Sequence, residues 1–321
     1  AGWDFEEHGA FGAPEITVFV GEEAHSSVVH ALRLLGFGRK QLVTVAADRQ
    51  GRMKPSALWR EMAQRDGPAI VVAQAGNINS GGFDELPRIA EIARSRGAWL
   101  HVDGAFGLWA RASDRLRHLA HGAEFADSCS VDGHKWLQVP YECGYAILRD
   151  EGLHRRAMAQ SASYLTRDSA DGRNPGDYVP ELSRRARGFA TWAVIQALGR
   201  SGVRDIVESS CANAALFADC CRGAPEIEVM NEAVLNQVCL APAHREHEAA
   251  IVEGVQQALR QDGRWFAMPA VWQGRPVLRF SFSGKPAGRG DVEAMAAIVA
   301  CAFARETALA GIRNADAACA A

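Results

Sequence analysis

Ala98-Trp99-Leu100-His101-Val102-Asp103-Gly104-Ala105-Phe106 and, further on, Ala126-Asp127-Ser128-Cys129-Ser130-Val131-Asp132-Gly133-His134-Lys135-Trp136 together decide the fold of this chain. Each is a short apolar run that ends in polar residues beside a glycine, as a buried strand does where it gives way to a turn. Two such runs predict neighbouring parallel strands whose C-terminal ends face one crevice, which is where open α/β sheets place ligands. The first run delivers Asp103 and the second Lys135. An acid and a lysine on adjacent strand ends suit pyridoxal phosphate, which takes a lysine through a Schiff base and a carboxylate against its ring nitrogen.

Working outward, residues 16–20 read as a strand and residues 21–25 as its turn. Val28, Ala31, Leu32 and Leu35 recur at helical spacing until Gly36, so a helix is expected from Ser26 or Ser27 to Leu35. Residues 42–45 predict a second strand, and Pro55 suits the first turn of a helix reaching Gln64. Residues 69–73 predict a buried strand, followed by a Gly/Asn/Ser loop over 76–82 and a helix that Asp84 can cap. Residues 143–148 complete the series. Strands alternating with helices indicate an α/β fold with a mostly parallel sheet covered on both faces.

After Leu148 the texture changes. Residues 166–177 are polar with Gly and Pro and read as a surface loop, and helical periodicity resumes over 187–198 and 203–220. The remainder predicts a smaller α+β unit, with strands at 226–230, 236–240 and 277–282 and helices over 246–259 and 291–304. The Ala-rich tail from Asn314 is expected to fray. The domains expected are thus 1–192, a large domain, and 193–321, a small one.

Composition narrows the partners. A formal net charge of −3 over 321 residues, with no long basic run, favours neither nucleic acid nor an anionic membrane. The first residues lack the basic-then-apolar order of a secretory signal, and no apolar run reads as a bilayer span. Eight scattered cysteines without a Cys-x-x-Cys pair suit reduced thiols and a cytoplasmic setting.

Each candidate residue has a plainer alternative. Lys135 could be a surface lysine, although it follows an apolar strand and stands between His134 and Trp136. Asp103 could cap a turn; as a ligand it would keep a pyridine nitrogen protonated through a charge-assisted bond of about 1.5–3 kcal/mol. Ala105, two residues on and small, can lie under a flat ring. His25 either stacks on that ring or stands at a helix start, and His134 either meets a phosphate or packs in its turn. Phe106, Trp109 and Trp136 line an aromatic pocket or belong to the core.

Glu23-Ala24-His25-Ser26-Ser27, Asn79-Ser80-Gly81-Gly82-Phe83-Asp84, His101-Val102-Asp103-Gly104-Ala105-Phe106 and Asp132-Gly133-His134-Lys135-Trp136 occur in this order. From about residue 11 to about residue 282 the chain resembles the group II pyridoxal-phosphate-dependent amino-acid decarboxylases, which include the aromatic-amino-acid and glutamate decarboxylases. The resemblance implies fold type I, the cofactor pyridoxal 5'-phosphate, and a homodimer with its site at the subunit interface. It implies that Lys135 carries the cofactor, Asp103 pairs with the ring nitrogen, and Ala105 and His25 sandwich the ring. Asp132 and His134 would lie near the phosphate, and Asn79 would join the cofactor-binding residues. Tyr164 matches the tyrosine that returns a proton to the substrate carbon, with Tyr178 as the second candidate. The implied reaction turns an L-amino acid into its amine and CO₂, through Lys135, Tyr164 and His25.

Two departures stand out. Asn77 and Ile78 replace threonines common in the family, and the family's Ser/Thr-Gly-rich phosphate loop has no counterpart here. The chain thus reads as a family member lacking its N-terminal part. Oxidative decarboxylation to an aldehyde and a catalytically silent subunit are the competing expectations, with a transaminase behind them.

Overall fold

The computed structural model describes residues 2–160, 172–284 and 287–319, with side chains as far as residue 311. Its larger sheet is built from β1 (Thr17–Gly21), β2 (Leu42–Val45), β3 (Ala69–Gln74), β4 (Trp99–Asp103), β5 (Ser128–Asp132) and β6 (Gly144–Leu148) in the order β2-β1-β3-β4-β5-β6. Every pairing is parallel except that of β6, which runs antiparallel to β5 at the edge. The helices of this half are α1 (Phe5–His8), α2 (Ser26–Leu34), α3 (Pro55–Ala63), α4 (Leu86–Ser95), the single-turn α5 (Gly133–Trp136) and α6 (Glu151–Met158).

Side-chain alternation decides which face does what. Val71, Ala73, Leu100 and Val102 point to one face and are buried with Leu58 of α3 and Ile89 of α4. On the other face α2 covers only part of the sheet: Leu32 and Val28 pack on Val18, Val20 and Val72. The same face of β4 and β5 carries Trp99, His101, Asp103, Ser128, Ser130 and Asp132, which border a cavity instead of meeting a helix.

The helix expected to be capped by Asp84 begins at Leu86 without a side-chain cap, and its N-cap is Glu85. Asp84 turns inward, because its two oxygens meet two backbone donors from different segments: Met53 N–H and Gln74 N–H, each at 2.7 Å.

A long helix, α7 (Arg187–Arg222), joins the two halves, with non-helical backbone at Gly199 (φ 63°, ψ −177°) between the two helical stretches read from the sequence. Its Val207 and Cys211 pack on the first core, whereas Ala214 and Phe217 pack on the second. Beyond it, β7 (Ile227–Val229), β8 (Gln237–Pro242), β9 (Met268–Trp272) and β10 (Arg275–Ser281) form an antiparallel sheet in the order β7-β8-β10-β9. Helices α8 (Glu248–Asp262) and α9 (Arg289–Cys319) cover it, through Val255, Val299 and Phe303 against Phe280. Strand β9 escaped the sequence reading because Pro269 interrupts its pattern, and an edge strand tolerates proline.

Helix α9 corrects two expectations. It continues through Asn314 to Cys319, in keeping with the high helix propensity of alanine. By length and composition its segment 289–311 is also apolar enough to cross a membrane. Val292, Met295, Ala296, Val299 and Phe303 are buried in the second core, whereas Ala297, Cys301 and Leu309 are exposed.

Candidate active site

The strand register assembles the site. Gln74 pairs with Asp103 and Asp103 with Ser130, so three polar residues stand side by side at the C-terminal ends of β3, β4 and β5. They border a cavity of about 810 Å³ whose opposite wall is α2. His25, Asp103, Ala105, Asp132, His134 and Lys135 all line it. Of the other expected residues, Asn79 is held in the turn after β3: its N–H donates to Asn77 Oδ1 (2.8 Å) and its carbonyl lies 3.1 Å from Cys239 Sγ. It stands outside the lining. Tyr164 falls outside the described residues. Tyr178 is not at the cavity either; its hydroxyl donates to Glu151 Oε1.

Asp103 is held by one oxygen. Oδ1 accepts from Ala105 N–H (3.1 Å) and lies 3.5 Å from Ser130 Oγ, whereas Oδ2 has no hydrogen-bond partner among the described residues. Two residues earlier on the same face, His101 Nδ1 lies 2.8 Å from Ser128 Oγ, which also accepts from Trp99 Nε1–H (2.9 Å). Burial pulls the His101 pKa down and the Asp103 charge opposes it, so the imidazole beside this carboxylate is biased to the neutral form.

Lys135 projects from α5, whose placement is fixed by buried groups. Trp136 is 1 % exposed and its Nε1–H donates to Phe106 O (2.8 Å); Trp109 Nε1–H donates to Asp132 O (2.8 Å). Both tryptophans therefore pin the two strand ends together, and only Phe106 of the three aromatics lines the cavity. Gly133 is required by close packing, since a Cβ there would overlap the Tyr145 ring. Lys135 Nζ lies 2.9 Å from Asp132 Oδ2 and 4.3 Å from the Phe106 ring centroid. His134 Nε2 is 3.5 Å from the same Asp132 oxygen. Its Nδ1 faces the Cys143 backbone (2.8 Å to O), and its ring stacks at 4.3 Å on Tyr141.

His25 stands at a helix start and also borders the cavity. It is the N-cap of α2, with Nδ1 accepting from Ser27 N–H (3.3 Å). Asn77, 1 % exposed, donates to Gln74 Oε1 and to Glu23 O, both at 3.0 Å. It braces the loop rather than lining the cavity. The residues that sequence reasoning missed here are Gln74, His101, Ser130 and Tyr141. Period two would have found His101 and Ser130, which precede Asp103 and Asp132 by two positions; nothing local marks Tyr141.

Residues 10–241 match the pyridoxal-dependent decarboxylase conserved domain. The acidic amino acid decarboxylase GADL1 of Mus musculus is 31 % identical over 256 residues, covering 76 % of this chain and 46 % of that protein. Cysteine sulfinic acid decarboxylase of Mus musculus is 32 % identical over 217 residues, covering 65 % and 44 %. The chain thus spans about half the length of these curated relatives. Among solved structures, mouse CSAD in its apo form superposes with a TM-score of 0.85 at 23 % identity, over 94 % of this chain and 66 % of that one. Oryza sativa TDC with PLP and tryptamine gives 0.85 at 24 %, over the same shares, and confirms the fold. The matched domain takes in both strand ends and the loop after β3, and on that ground the chain belongs to the pyridoxal-dependent decarboxylase family.

Proposed function

We propose that the cavity between α2 and the ends of β3–β5 holds pyridoxal phosphate, and that the protein decarboxylates an acidic L-amino acid to its amine. One observation carries the reading: Lys135 on α5 and Asp103 at the end of β4, whose Oδ2 has no hydrogen-bond partner among the described residues, line one cavity. The residues present fit the ring. Asp103 offers a free oxygen for the ring nitrogen, Ala105 leaves room beneath a flat group, and His25 supplies an aromatic face on the α2 wall. When bound, the cofactor supplies an electron sink for the pair released as a bond to the amino acid's α-carbon breaks.

The chain's own residues do the rest. Lys135 would supply the amine that holds the cofactor and would give up that place to the amino group of the substrate. Asp103 keeps the ring nitrogen's proton in place, and neutral His101 beside it leaves the negative charge of that carboxylate undivided. Phe106 and the apolar part of α2 limit water near the reacting carbon. Tyr164 is proposed to return a proton to that carbon, in a homodimer of the cytoplasm whose site lies at the subunit interface.

Arg279, behind the cavity wall at Ile78 and outside the lining itself, is the proposed partner of the substrate's acidic group. Burial lowers its pKa, its Nη1–H donates to the carbonyl of cavity-lining Ile78 (3.1 Å), and among the described residues no carboxylate pairs with it. A half-buried guanidinium with spare donors suits a substrate carboxylate or sulfinate. This agrees with the relatives named for acidic amino acids and for cysteine sulfinic acid.

The test is CO₂ release from purified protein with added cofactor, comparing L-aspartate, L-glutamate and cysteine sulfinate with L-tryptophan and L-tyrosine. Borohydride reduction and peptide mapping accompany it. The expected result is a pyridoxyl mass on the Lys135 peptide, acidic substrates preferred, and an amine product. An unlabelled Lys135 peptide at excess cofactor overturns the reading, and an aldehyde with ammonia replaces it with oxidative chemistry.

A further inference from the structure

Asp132 lies in the cavity with its carboxylate committed to its neighbours. Oδ2 is 2.9 Å from Lys135 Nζ and 3.5 Å from His134 Nε2, and the side chains of Asp132 and Lys135 are only 24 % and 23 % exposed. An ionised carboxylate accepts hydrogen bonds and donates none, so Asp132 does not itself donate to a phosphate. What it does offer is a counter-charge for a lysine, and an ammonium held this way has no lone pair with which to attack a carbonyl. The face of Phe106, 4.3 Å from Nζ, adds a second attraction in the same place.

We propose that Asp132 is a positioning residue that competes with the cofactor's carbonyl for Lys135, and that takes the lysine back each time an amino-acid substrate displaces it. The inference rests on the function proposed above. Attachment then requires Nζ to leave the ion pair. The new bond forms between Nζ and the cofactor's carbonyl carbon, and the carbonyl oxygen departs as water with two of the ammonium's three protons. The third stays on nitrogen, so atoms and charge balance with no further reactant. Breaking the Asp132 contact is a cost charged against attachment. In return, a displaced lysine has a fixed resting place and does not compete with the substrate for the same carbon.

The test compares the wild-type chain with Asp132→Asn, which keeps shape and removes charge, and with Asp132→Ser, which removes charge with a smaller group. Each is titrated separately with pyridoxal and with pyridoxal phosphate. The readouts are the visible absorbance of the lysine-bound form, its rate of appearance, and the borohydride-trapped mass at Lys135; urea unfolding confirms that each variant is folded. Loss of a partly shielded ion pair predicts about fivefold tighter and faster attachment of both aldehydes in either folded variant. A gain with pyridoxal phosphate alone would mean that Asp132 acts by repelling the phosphate, and overturns the proposal. Equal or weaker attachment of pyridoxal in the variants also overturns it, while the function proposed above survives. A wild-type chain that labels with neither aldehyde sinks both.

Discussion

Asp84→Asn tests how the site is held from behind. Asp84 is 6 % exposed, and its two oxygens accept from two different backbone donors, Met53 N–H and Gln74 N–H, at 2.7 Å each. Gln74 is the register partner of Asp103, so the contact ties the loop after β2 to the strand end beside the candidate ligand. Asparagine keeps one acceptor and turns an NH₂ toward the other donor, leaving a buried N–H unsatisfied at about 1–3 kcal/mol. A second effect depends on pH. Burial is the largest influence on Asp84 and raises its pKa from 3.8 to about 6, against the two backbone hydrogen bonds. The folded state therefore binds this proton more tightly than the unfolded state does. The stability contribution of Asp84 is greatest below about pH 4 and falls as pH rises through 6, by up to about 3 kcal/mol for a shift of this size. Asparagine does not titrate. The wild-type minus variant difference in unfolding free energy, from urea titrations at pH 4.5 to 8, should narrow as pH rises and level off above about 6.5. A gap that stays constant, or widens with pH, refutes the account of Asp84 as a carboxylate strained by burial.

The other predictions concern the cavity directly. Asp103→Asn should leave Lys135 open to borohydride labelling while CO₂ release falls roughly 10- to 100-fold, the loss expected for a charge-assisted bond, as read by steady-state assay beside peptide mapping. Gly133→Ala places a Cβ 2.7 Å from Tyr145 Cζ and displaces a ring whose hydroxyl lies 2.8 Å from Thr191 Oγ1. It should cost about 1–3 kcal/mol in urea unfolding and slow labelling of Lys135 together. Arg279→Gln should raise KM for acidic substrates by about tenfold or more with a smaller change in kcat, because it removes the proposed partner of the substrate's acidic group. An equal loss on aromatic substrates would show that Arg279 supports the loop at Ile78 and does not select the substrate.

Much of the larger sheet was legible because its strands are short, apolar and punctuated by glycine. The prediction of adjacent parallel strands ending at Asp103 and near Lys135 matches the parallel pairing of β4 and β5, and α2, α3, β2 and β3 lie close to where periodicity put them. What escaped has specific causes. Asp84 sits just before α4, where a local rule reads a cap, but its partners at positions 53 and 74 are brought near only by the fold. Pro269 hid an edge strand, and alanine-rich sequence hid the length of α9. The ion pair of Asp132 with Lys135 matches an i, i+3 spacing in the sequence, which becomes a contact once the strand turns into α5.

The cavity exists because alternation along β4 and β5 sends incompatible chemistry to opposite faces of one sheet. Leu100 and Val102 need a helix over them and receive α3 and α4; His101, Asp103, Ser128 and Ser130 cannot be covered by an apolar helix face without leaving polar groups unpaired. They satisfy one another in part, through the bond from Trp99 to Ser128, the contact between His101 and Ser128 and the bond from Ala105 to Asp103, while Asp103 Oδ2 has no partner among the described residues. A slip of one residue in either strand would turn this set into the core and expose the apolar set. The same hydrophobic requirement that fixes the fold therefore fixes the face on which Asp103 stands. Substitutions that preserve the core face, such as Val102→Ile, should leave that placement intact, whereas a polar residue at Val102 would disturb the site without touching any group that lines it.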